Sequence, residues 1–483
     1  MQRPYTAKAR WYTEQRMGRT AQRRPRPTAT PAEIPSTFFD RLSVQLGDEI
    51  DGLADALRRP SPVSLRVNKA KWRGPDGERV PWCANGYYLP ERPAFTFDPL
   101  HHAGCYYVQE ASSMLLEQAV IACGLGYERI IALDLCAAPG GKSTHLRSLL
   151  HTDALLVANE IDRKRYVILQ ENLWKWGATN TLVTNSAPKQ LERLPELFDL
   201  IVVDAPCSGE GMFRKDAFAR EQWNESLVEQ CVAMQRDALT FAWESLKPGG
   251  VLIYSTCTWE VAENEAQVAR LVERGGTCIP IPMDPSWGVV RSARLGVDAL
   301  RCYPHRVKGE GFFIAAVRKP GERTPARMTD VGADESDGPT KWLRATRPWI
   351  TLEEGDELFA TDATWGDTLQ RIRAALNVVS PGIPLAERKA NEWRPHTALA
   401  LAEDLDPSRF ARVPFNMEEA LSYLRGNALP AAAAQGIALA TYQGVGLGWL
   451  QGAGNRWNNR WPTPWRIRSQ HPNAPRVSWS QAH

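Results

Sequence analysis

The hydrophobic positions near the start of the folded chain follow a helical spacing. Apolar side chains recur every three or four residues, at Phe38, Leu42, Leu46, Ile50, Leu53 and Leu57. This spacing predicts an amphipathic helix, and Ser36 or Thr37 can cap its N-terminus. A strand-like alternation over residues 64–70 and an aromatic run at 86–90 come next. We therefore expect a small α+β module over residues 34–97.

From about Gly104 onward, short apolar runs alternate with stretches at helical spacing. The apolar runs have the length and composition of buried strands: IIALD, ALLVANEI, TLVTNS, FDLIVVDAPC, VLIYSTCT and GFFIAAVR. The helical stretches include VQEASSMLLEQAVIACG, RKRYVILQENLWKWG and LVEQCVAMQRDALTFAWESLKPGG. This alternation predicts a doubly wound parallel sheet over residues 98–318, with ligands bound at the carboxyl ends of its strands.

The last third of the chain has a different pattern. Residues 319–350 are polar and rich in proline and glycine, without periodicity, and are predicted to be a linker. A second folded part follows over residues 351–470, and its end, IALATYQGVGLGWLQGAGNRWNNRW, reads as short strands with glycine turns. This pattern is typical of a small β-barrel. Residues 1–33 and 471–483 are predicted to be tails.

The composition is that of a globular protein. Of the 483 residues, 43% are hydrophobic, and no run of eighteen or more apolar residues predicts a membrane span. Nine cysteines without CxxC spacing favour a reducing compartment over a disulfide framework. His101, His102 and Cys105 stand close together, but without a fourth ligand they are more typical of a partly buried turn than of a metal site. We therefore expect no metal and a cytoplasmic location.

The distribution of charge along the chain favours a polyanionic partner, although the net charge is only +3. Residues 1–33 contain eight basic and two acidic side chains, and residues 451–483 contain five arginines and no acid. Basic ends suit phosphate contacts, and several of the 18 tryptophans stand beside arginines, which suits stacking on unpaired bases. The N-terminal stretch is also compatible with a solvated tail, an organellar transit peptide, or a start of translation at Met17.

The segment ALDLCAAPGGKS combines a buried strand with a Pro-Gly-Gly turn. Its backbone can approach a ligand closely, but it matches neither GxGxxG nor the phosphate-binding GxxxxGK[ST] pattern. A nucleoside with a charged amino-acid tail is therefore favoured over a pyrophosphate. Glu160, at the end of the next strand, is placed to bind two ribose hydroxyls, and the alternative is an acid at a helix start.

Two thiols stand at the ends of neighbouring predicted strands. Cys207 follows Asp204 by three residues in VVDAPCSGEG, and Cys257 lies in YSTCT. A thiolate can add to C6 of cytosine and make C5 nucleophilic, and a second thiol can assist when the C5 proton is removed and the first thiol leaves. Asp204 can hydrogen-bond the edge of the base. Each cysteine alone would be read as a small buried residue.

Four ordered blocks carry a resemblance to a known family. LDLCAAPGGKSTHL, DAPCSGEGMFRK, YSTCTWEVAENE and RCYPHRVKGEGFF resemble the signature blocks of the Sun-type RNA cytosine-C5 methyltransferases, and the likeness covers residues 34–318. It implies a Rossmann-like core that uses S-adenosyl-L-methionine, with Cys257 as nucleophile, Cys207 as the releasing thiol and Asp204 beside them. The implied cofactor-binding residues are Cys136, Ala137, Ala138, Pro139, Gly140, Gly141, Lys142, Glu160 and Asp204. Where the family has an aspartate near the adenine, this chain has Asn185 and Ser186.

The C-terminal part is similar to the extension of the RsmF-type bacterial branch, whose end resembles a PUA RNA-binding barrel. This resemblance implies small-subunit ribosomal RNA as the partner, an RNA-binding role for module 34–97, and a monomer. Transfer RNA as substrate, or a ribosome-assembly factor that binds RNA without turnover, are the alternatives. DNA cytosine methylation is disfavoured because the Pro-Cys thiol itself attacks in those enzymes.

Overall fold

The computed structural model describes residues 33–326, 338–390, 392–469 and Trp479. The predicted basic tail, apart from residue 33, the middle of the predicted linker and most of the C-terminal tail lie outside the described residues. Within them, no helix has both the length and the apolar character needed to cross a membrane.

The helices and strands are numbered here in chain order. The helices are α1 (Ser36–Leu46), α2 (Ile50–Arg58), α3 (Pro99–His102), α4 (Leu116–Cys123), α5 (Gly141–Leu149), α6 (Arg163–Trp176), α7 (Ala217–Gln222), α8 (Glu225–Ser245), α9 (Glu265–Glu273), α10 (Gly366–Ala375), α11 (Thr397–Ala400) and α12 (Met417–Leu424). The strands are β1 (Val63–Val67), β2 (Gly86–Leu89), β3 (Tyr106–Tyr107), β4 (Ile131–Asp134), β5 (Leu155–Asn159), β6 (Thr181–Thr184), β7 (Phe198–Asp204), β8 (Leu246–Thr256), β9 (Thr277–Cys278), β10 (Val290–Ser292), β11 (Ala299–Cys302), β12 (Phe312–Arg318), β13 (Trp349–Glu354), β14 (Glu357–Asp362), β15 (Val378–Ser380), β16 (Ile383–Lys389), β17 (Glu392–Pro395), β18 (Ala411–Phe415), β19 (Leu429–Ala434), β20 (Ile437–Tyr442), β21 (Val445–Gly452) and β22 (Gly454–Asn459).

A Rossmann-type sheet forms the centre of the molecule, as the alternating pattern predicts. Its strand order is β10-β11-β12-β8-β7-β4-β5-β6-β15, and β8, β7, β4, β5 and β6 run parallel. The apolar runs fill this sheet because strands covered on both faces need continuous hydrophobic sequence. The two edges differ from the purely parallel expectation, since β12 pairs antiparallel with β8 and β15 pairs antiparallel with β6.

The single amphipathic helix that the apolar spacing predicts near the N-terminus is two helices in the structure. α1 ends at Leu46, the following Gly47 has a φ of 55° that glycine adopts without strain, and α2 starts at Ile50. The predicted apolar face is retained across the break, because Phe38 and Leu53 are fully buried against Trp259 and its neighbours. A three-stranded sheet, β2-β1-β3, completes this part of the chain.

The segment after the predicted linker is divided between two structural units. Strand β15 extends the central sheet, and Trp365, Leu369 and Ile372 on and beside α10 belong to the core of that sheet. The rest forms a four-stranded sheet, β13-β14-β16-β17, and a five-stranded sheet, β18-β20-β21-β22-β19. The sequence predicts residues 351–470 as one unit, and the structure differs. Periodicity shows that a helix has an apolar face, but it does not show which part of the chain covers that face.

Trp461, which lies just after strand β22 of the five-stranded sheet, illustrates the same limit. Trp461 is buried within a core that includes Tyr423 and Leu424, so it packs internally instead of presenting a face for stacking on a base. Only part of the Trp–Arg pattern is therefore available to a nucleic acid.

Replacing Ile372 with alanine should lower the free energy of unfolding by about 2–4 kcal/mol, because the change removes a fully buried side chain from the core of the central sheet. Urea unfolding of full-length protein measures this. The matched control is Arg371→Ala, an exposed neighbour on the same helix, for which a loss below about 0.5 kcal/mol is expected. Equal losses in the two variants would show that α10 is not part of that core.

Candidate active site

Three loops meet at the carboxyl ends of β4, β7 and β8. The strand order reverses at β4, with β5 on one side and β7 on the other, and such a reversal opens a crevice for ligands. In the registers, Asp134 on β4 pairs with Val202, and Asp204 on β7 pairs with Ser255 on β8. The loops that follow these residues therefore start side by side.

The loop after β4 is held by the backbone of its two neighbouring strands. The Leu135 amide donates to the Val202 carbonyl at 2.9 Å, and the Ala137 amide donates to the Asn159 carbonyl at 2.8 Å. Gly140 has a φ of 114° and immediately precedes α5, so the loop turns sharply into a helix whose amides point toward the crevice.

Asp134 is a site residue that the sequence reasoning did not single out. It is fully buried at the end of β4, and its Oδ2 accepts a 2.6 Å hydrogen bond from Ser143 Oγ, whereas its Oδ1 has no hydrogen-bond partner. Burial raises the pKa of Asp134 to about 7. An acid at the end of the first strand of the motif was visible in the sequence, but its burial was not.

Glu160 lies immediately after β5 and is buried. Its Oε1 accepts a 3.0 Å bond from the Asp162 amide, and its Oε2 lies 2.9 Å from Arg165 Nη1 in an ion pair that lacks hydrogen-bond geometry. Arg165 in turn donates to the carbonyl of Ala138 in the loop after β4. Glu160 is thus connected to the loop through one guanidinium group, and its Oε2 accepts no hydrogen bond from a described residue.

Asn185 and Ser186, the residues weighed as substitutes for an adenine-contacting aspartate, are engaged within the protein. Asn185 Nδ2 donates to the carbonyls of Glu160 and Ile161 at 2.7 and 2.9 Å. Ser186 Oγ accepts from the amide of Asn377, at 2.9 Å. Both side chains therefore serve to hold the loop after β6 against neighbouring backbone.

The structure brings the two predicted thiols together. Cys207 Sγ and Cys257 Sγ are 3.3 Å apart. The contact with Cys257, together with burial, raises the pKa of Cys207 well above its usual range. Cys207 therefore keeps its proton at neutral pH and can donate it toward Cys257. The Gly211 amide also donates to the Cys257 carbonyl at 2.8 Å, and a Cβ at position 211 would lie only 2.9 Å from that oxygen.

Asp204 lies beside the thiols in an ion pair with Lys142. Lys142 Nζ is 2.8 Å from Asp204 Oδ2, and Ser255 Oγ donates to Asp204 Oδ1 at 2.9 Å. Burial alone would lower the pKa of Lys142, but the carboxylate of Asp204 offsets this effect and the pKa is raised. The site therefore holds a fixed positive charge next to a carboxylate that remains about one third exposed.

A cavity of about 840 Å³ lies between these loops and the N-terminal part of the chain. It is lined by Cys136, Ala137, Ala138, Pro139, Gly141, Lys142, Asp204 and Cys257, and also by Arg92, Tyr107 and Lys215. Gly140, Glu160 and Cys207 are not among the described lining residues. Cys257 thus lines the cavity, and Cys207 contacts Cys257 without lining the cavity.

Ligand-type side chains also converge at a place that the sequence reasoning did not consider. Among the described residues, the group with metal-ligand proximity is Cys83, Glu117 and His145, all buried, and not His101, His102 and Cys105. His145 Nε2 lies 3.2 Å from Glu117 Oε2 and 3.8 Å from Cys83 Sγ. Burial lowers the pKa of His145 to about 4, so the three form a hydrogen-bonded set around a neutral imidazole.

Three parts of the chain match models of known protein families. Residues 34–111 match the N-terminal domain of 16S rRNA methyltransferase RsmF, residues 127–318 match 16S rRNA methyltransferase RsmB/F, and residues 410–467 match the methyltransferase RsmF PUA domain. The ribosomal RNA small subunit methyltransferase F of Erwinia tasmaniensis is 31% identical over 433 residues, which are 81% of this chain and 88% of that protein.

Solved structures agree on the fold. The crystal structure of PH0851 is similar with a TM-score of 0.53 and 25% identity, over 61% of this chain and 70% of that chain. NSun6 from Pyrococcus horikoshii with SFG is similar with a TM-score of 0.51 and 21% identity, over 60% of this chain and 99% of that chain.

Asp134→Asn should stabilise the protein at alkaline pH. Because the folded pKa of about 7 exceeds the ordinary value of about 3.9, the folded state binds the proton more tightly, and this contribution is lost as pH rises between these values. The variant should therefore exceed the wild type by about 1–3 kcal/mol at pH 8, with the difference shrinking toward pH 5. Urea unfolding at several pH values measures this. A difference that does not change with pH would contradict the burial of an acidic Asp134.

Proposed function

The chain belongs to the RsmB/F family of 16S ribosomal RNA methyltransferases, and we propose that Cys257 and Cys207 carry out its reaction on cytosine C5. It is an RNA cytosine-C5 methyltransferase that uses S-adenosyl-L-methionine and acts on small-subunit ribosomal RNA. The observation that supports the residue roles is the pair of thiols 3.3 Å apart, of which Cys257 faces the cavity beside Asp204.

The residues at the end of β4 and β5 fit S-adenosyl-L-methionine. The cofactor supplies a methyl group bound to a positively charged sulfur. Cys136 to Lys142 form the loop that would hold the cofactor. The buried acid Asp134 precedes this loop at the end of β4, and its Oδ1 has no hydrogen-bond partner among the described residues. Glu160 would accept hydrogen bonds from the ribose hydroxyls, since its Oε2 also lacks a hydrogen bond in the described structure.

Cys257 is the nucleophile in this proposal. Its thiolate forms a bond to C6 of the cytosine, and the electron pair of the C5=C6 bond moves to C5, which can then accept a methyl group. The protonated thiol of Cys207 stabilises the neighbouring thiolate by donating a hydrogen bond. Asp204, held by Lys142 and Ser255, accepts a hydrogen bond from the edge of the base and orients it.

Cys207 acts after methyl transfer. Once C5 bears the methyl group, its proton passes to solvent and the electron pair of the C5–H bond reforms the C5=C6 bond. The bond between C6 and sulfur then breaks, and its electron pair stays on Cys257 as a thiolate. Cys207 assists this elimination by donating a hydrogen bond to the departing sulfur of Cys257. Cys257 lines the cavity and Cys207 does not, which favours Cys257 over Cys207 as the thiol that attacks the base.

The flanking parts of the chain serve to hold RNA in this proposal. The N-terminal part lines the cavity with Arg92 and Tyr107, which can contact phosphate and a base, and Lys215 adds a cation opposite them. The 34–97 module and the PUA-like sheet at the end of segment 351–470 would thus guide the substrate toward Cys257. We further propose that the enzyme is cytoplasmic and monomeric. Bisulfite sequencing of ribosomal and transfer RNA from a deletion strain tests small-subunit ribosomal RNA as the substrate and identifies the cytosine that is methylated; loss of a 5-methylcytosine from transfer RNA alone would contradict the assignment.

The two single cysteine variants should give opposite results on denaturing gels, and the double variant should behave like Cys257→Ala. Cys207→Ala should trap a cofactor-dependent covalent complex of enzyme and RNA, because bond formation to C6 proceeds but elimination fails. Cys257→Ala and the double variant should give no complex and no methylation, while cofactor binding persists. A complex retained by Cys257→Ala and lost in Cys207→Ala would reverse the two roles.

Glu160→Ala should weaken binding of S-adenosylhomocysteine by about 1–3 kcal/mol, since two ribose hydroxyls lose their hydrogen-bond acceptor. Isothermal calorimetry measures this. Glu171→Ala, an acid on α6 that pairs with Lys175, serves as the control and should leave the affinity unchanged. Equal affinities of the wild type and the Glu160 variant would mean that Glu160 only anchors Arg165 and the Asp162 amide.

A further inference from the structure

The two loops that carry the thiols are tied together by two buried carboxyl groups. Glu210 belongs to the Cys207 loop, Glu263 belongs to the Cys257 loop, and both are fully buried. Each reaches across to the other loop. A Glu210 oxygen accepts a 2.9 Å hydrogen bond from the amide of Trp259, two residues after Cys257.

The bonds of Glu263 act directly on the neighbours of Cys207. Its Oε2 accepts a 2.9 Å bond from the Ser208 amide, and its Oε1 accepts from the Ser208 hydroxyl. Its Oε2 also accepts from Gln235 Nε2 at 2.9 Å, and the same nitrogen donates to the Pro206 carbonyl at 2.9 Å. The residues on both sides of Cys207 are therefore fixed through one acid and one amide.

We propose that Glu263 is a positioning residue for product release, because it holds the loop that bears Cys207 at the distance from Cys257 that elimination requires. This inference rests on the proposed roles of the two cysteines. Glu263 itself touches neither substrate nor cofactor in this arrangement, so it acts through the placement of the Cys207 thiol.

The chemistry of Glu263 indicates which substitution should preserve this function. Burial raises its pKa to about 8, so it carries a proton at neutral pH. A glutamine has the same shape and can accept from the Ser208 amide while donating to the Ser208 hydroxyl. Alanine removes all of these bonds and leaves the two donors of Ser208 without their acceptor.

Glu263→Ala should slow release more than attack. We expect turnover to fall by roughly tenfold or more, with a denaturation-resistant complex of enzyme and RNA accumulating, while the first methyl transfer in a single-turnover assay changes by less than about threefold. Glu263→Gln should restore turnover to within about threefold of the wild type. The complex should disappear when Cys257→Ala is added.

A matched control separates positioning from simple loss of stability. Asp199 is also a fully buried carboxylate, bonded to the Ile131 amide and Lys247, but it lies at the opposite end of β7 from the thiols. Asp199→Ala should lower the melting temperature without accumulation of the complex. If Glu263→Ala does not fold, Gln235→Ala, which removes the bonds to Pro206 and Glu263, should show the same accumulation.

The outcomes distinguish the inference from the assignment of the cysteines. If Cys207→Ala traps the complex but neither Glu263→Ala nor Gln235→Ala does, the positioning role is wrong and the cysteine roles stand. If Asp199→Ala traps as much complex as Glu263→Ala, the effect is one of general stability and the inference is overturned. If Cys207→Ala itself traps nothing, the proposed division of labour between the thiols fails first.

Discussion

The parallel register of β7 and β8 determines how the thiols meet. Because Asp204 is paired with Ser255, the loops that continue these strands begin at the same height, and cysteines three and two residues further on come within 3.3 Å of each other. Two thiolates at that distance in a buried site would repel strongly, so one thiol must stay protonated. The contact with Cys257 raises the pKa of Cys207, and of the two thiols it is Cys257 that lines the cavity.

Buried side chains around the two thiols restrict the movement of the loops that carry them. Glu210 and Glu263 cross between the loops, and Arg41 on α1 binds both Glu210 and Glu260, so the N-terminal helix also contacts the frame of the active site. Buried carboxyl groups are costly unless their hydrogen bonds are satisfied, and these acids are bonded on several sides. A reaction in which one thiol forms a bond and a second assists its cleavage benefits from such rigidity, since both steps use the same pair of sulfur atoms.

The C-terminal segment links RNA binding to the catalytic core more closely than a linker followed by a separate domain would. Strand β15 completes one edge of the central sheet, and α10 covers part of its core, before the chain continues into the sheets that include the PUA match. Arg147 of α5 and Arg412 of β18 line one further cavity of about 620 Å³ where these parts adjoin. These contacts of β15 and α10 therefore help to set the position of the five-stranded sheet relative to the loop after β4.

The sequence alone determined the alternating core and placed the Pro-Gly-Gly loop, Asp204, Cys207 and Cys257 at the ends of its strands, because strand periodicity and short ordered motifs are local properties. The roles of these residues stay predictions. The sequence also predicted Glu160 at the end of the second core strand, whose ribose role stays a prediction. Tertiary structure alone decided the rest: which thiol faces the cavity, the burial of Asp134, and the bonds of Glu263 to a loop more than fifty residues away. These depend on burial and on contacts between distant segments, and no periodic pattern in one segment specifies what another segment will cover.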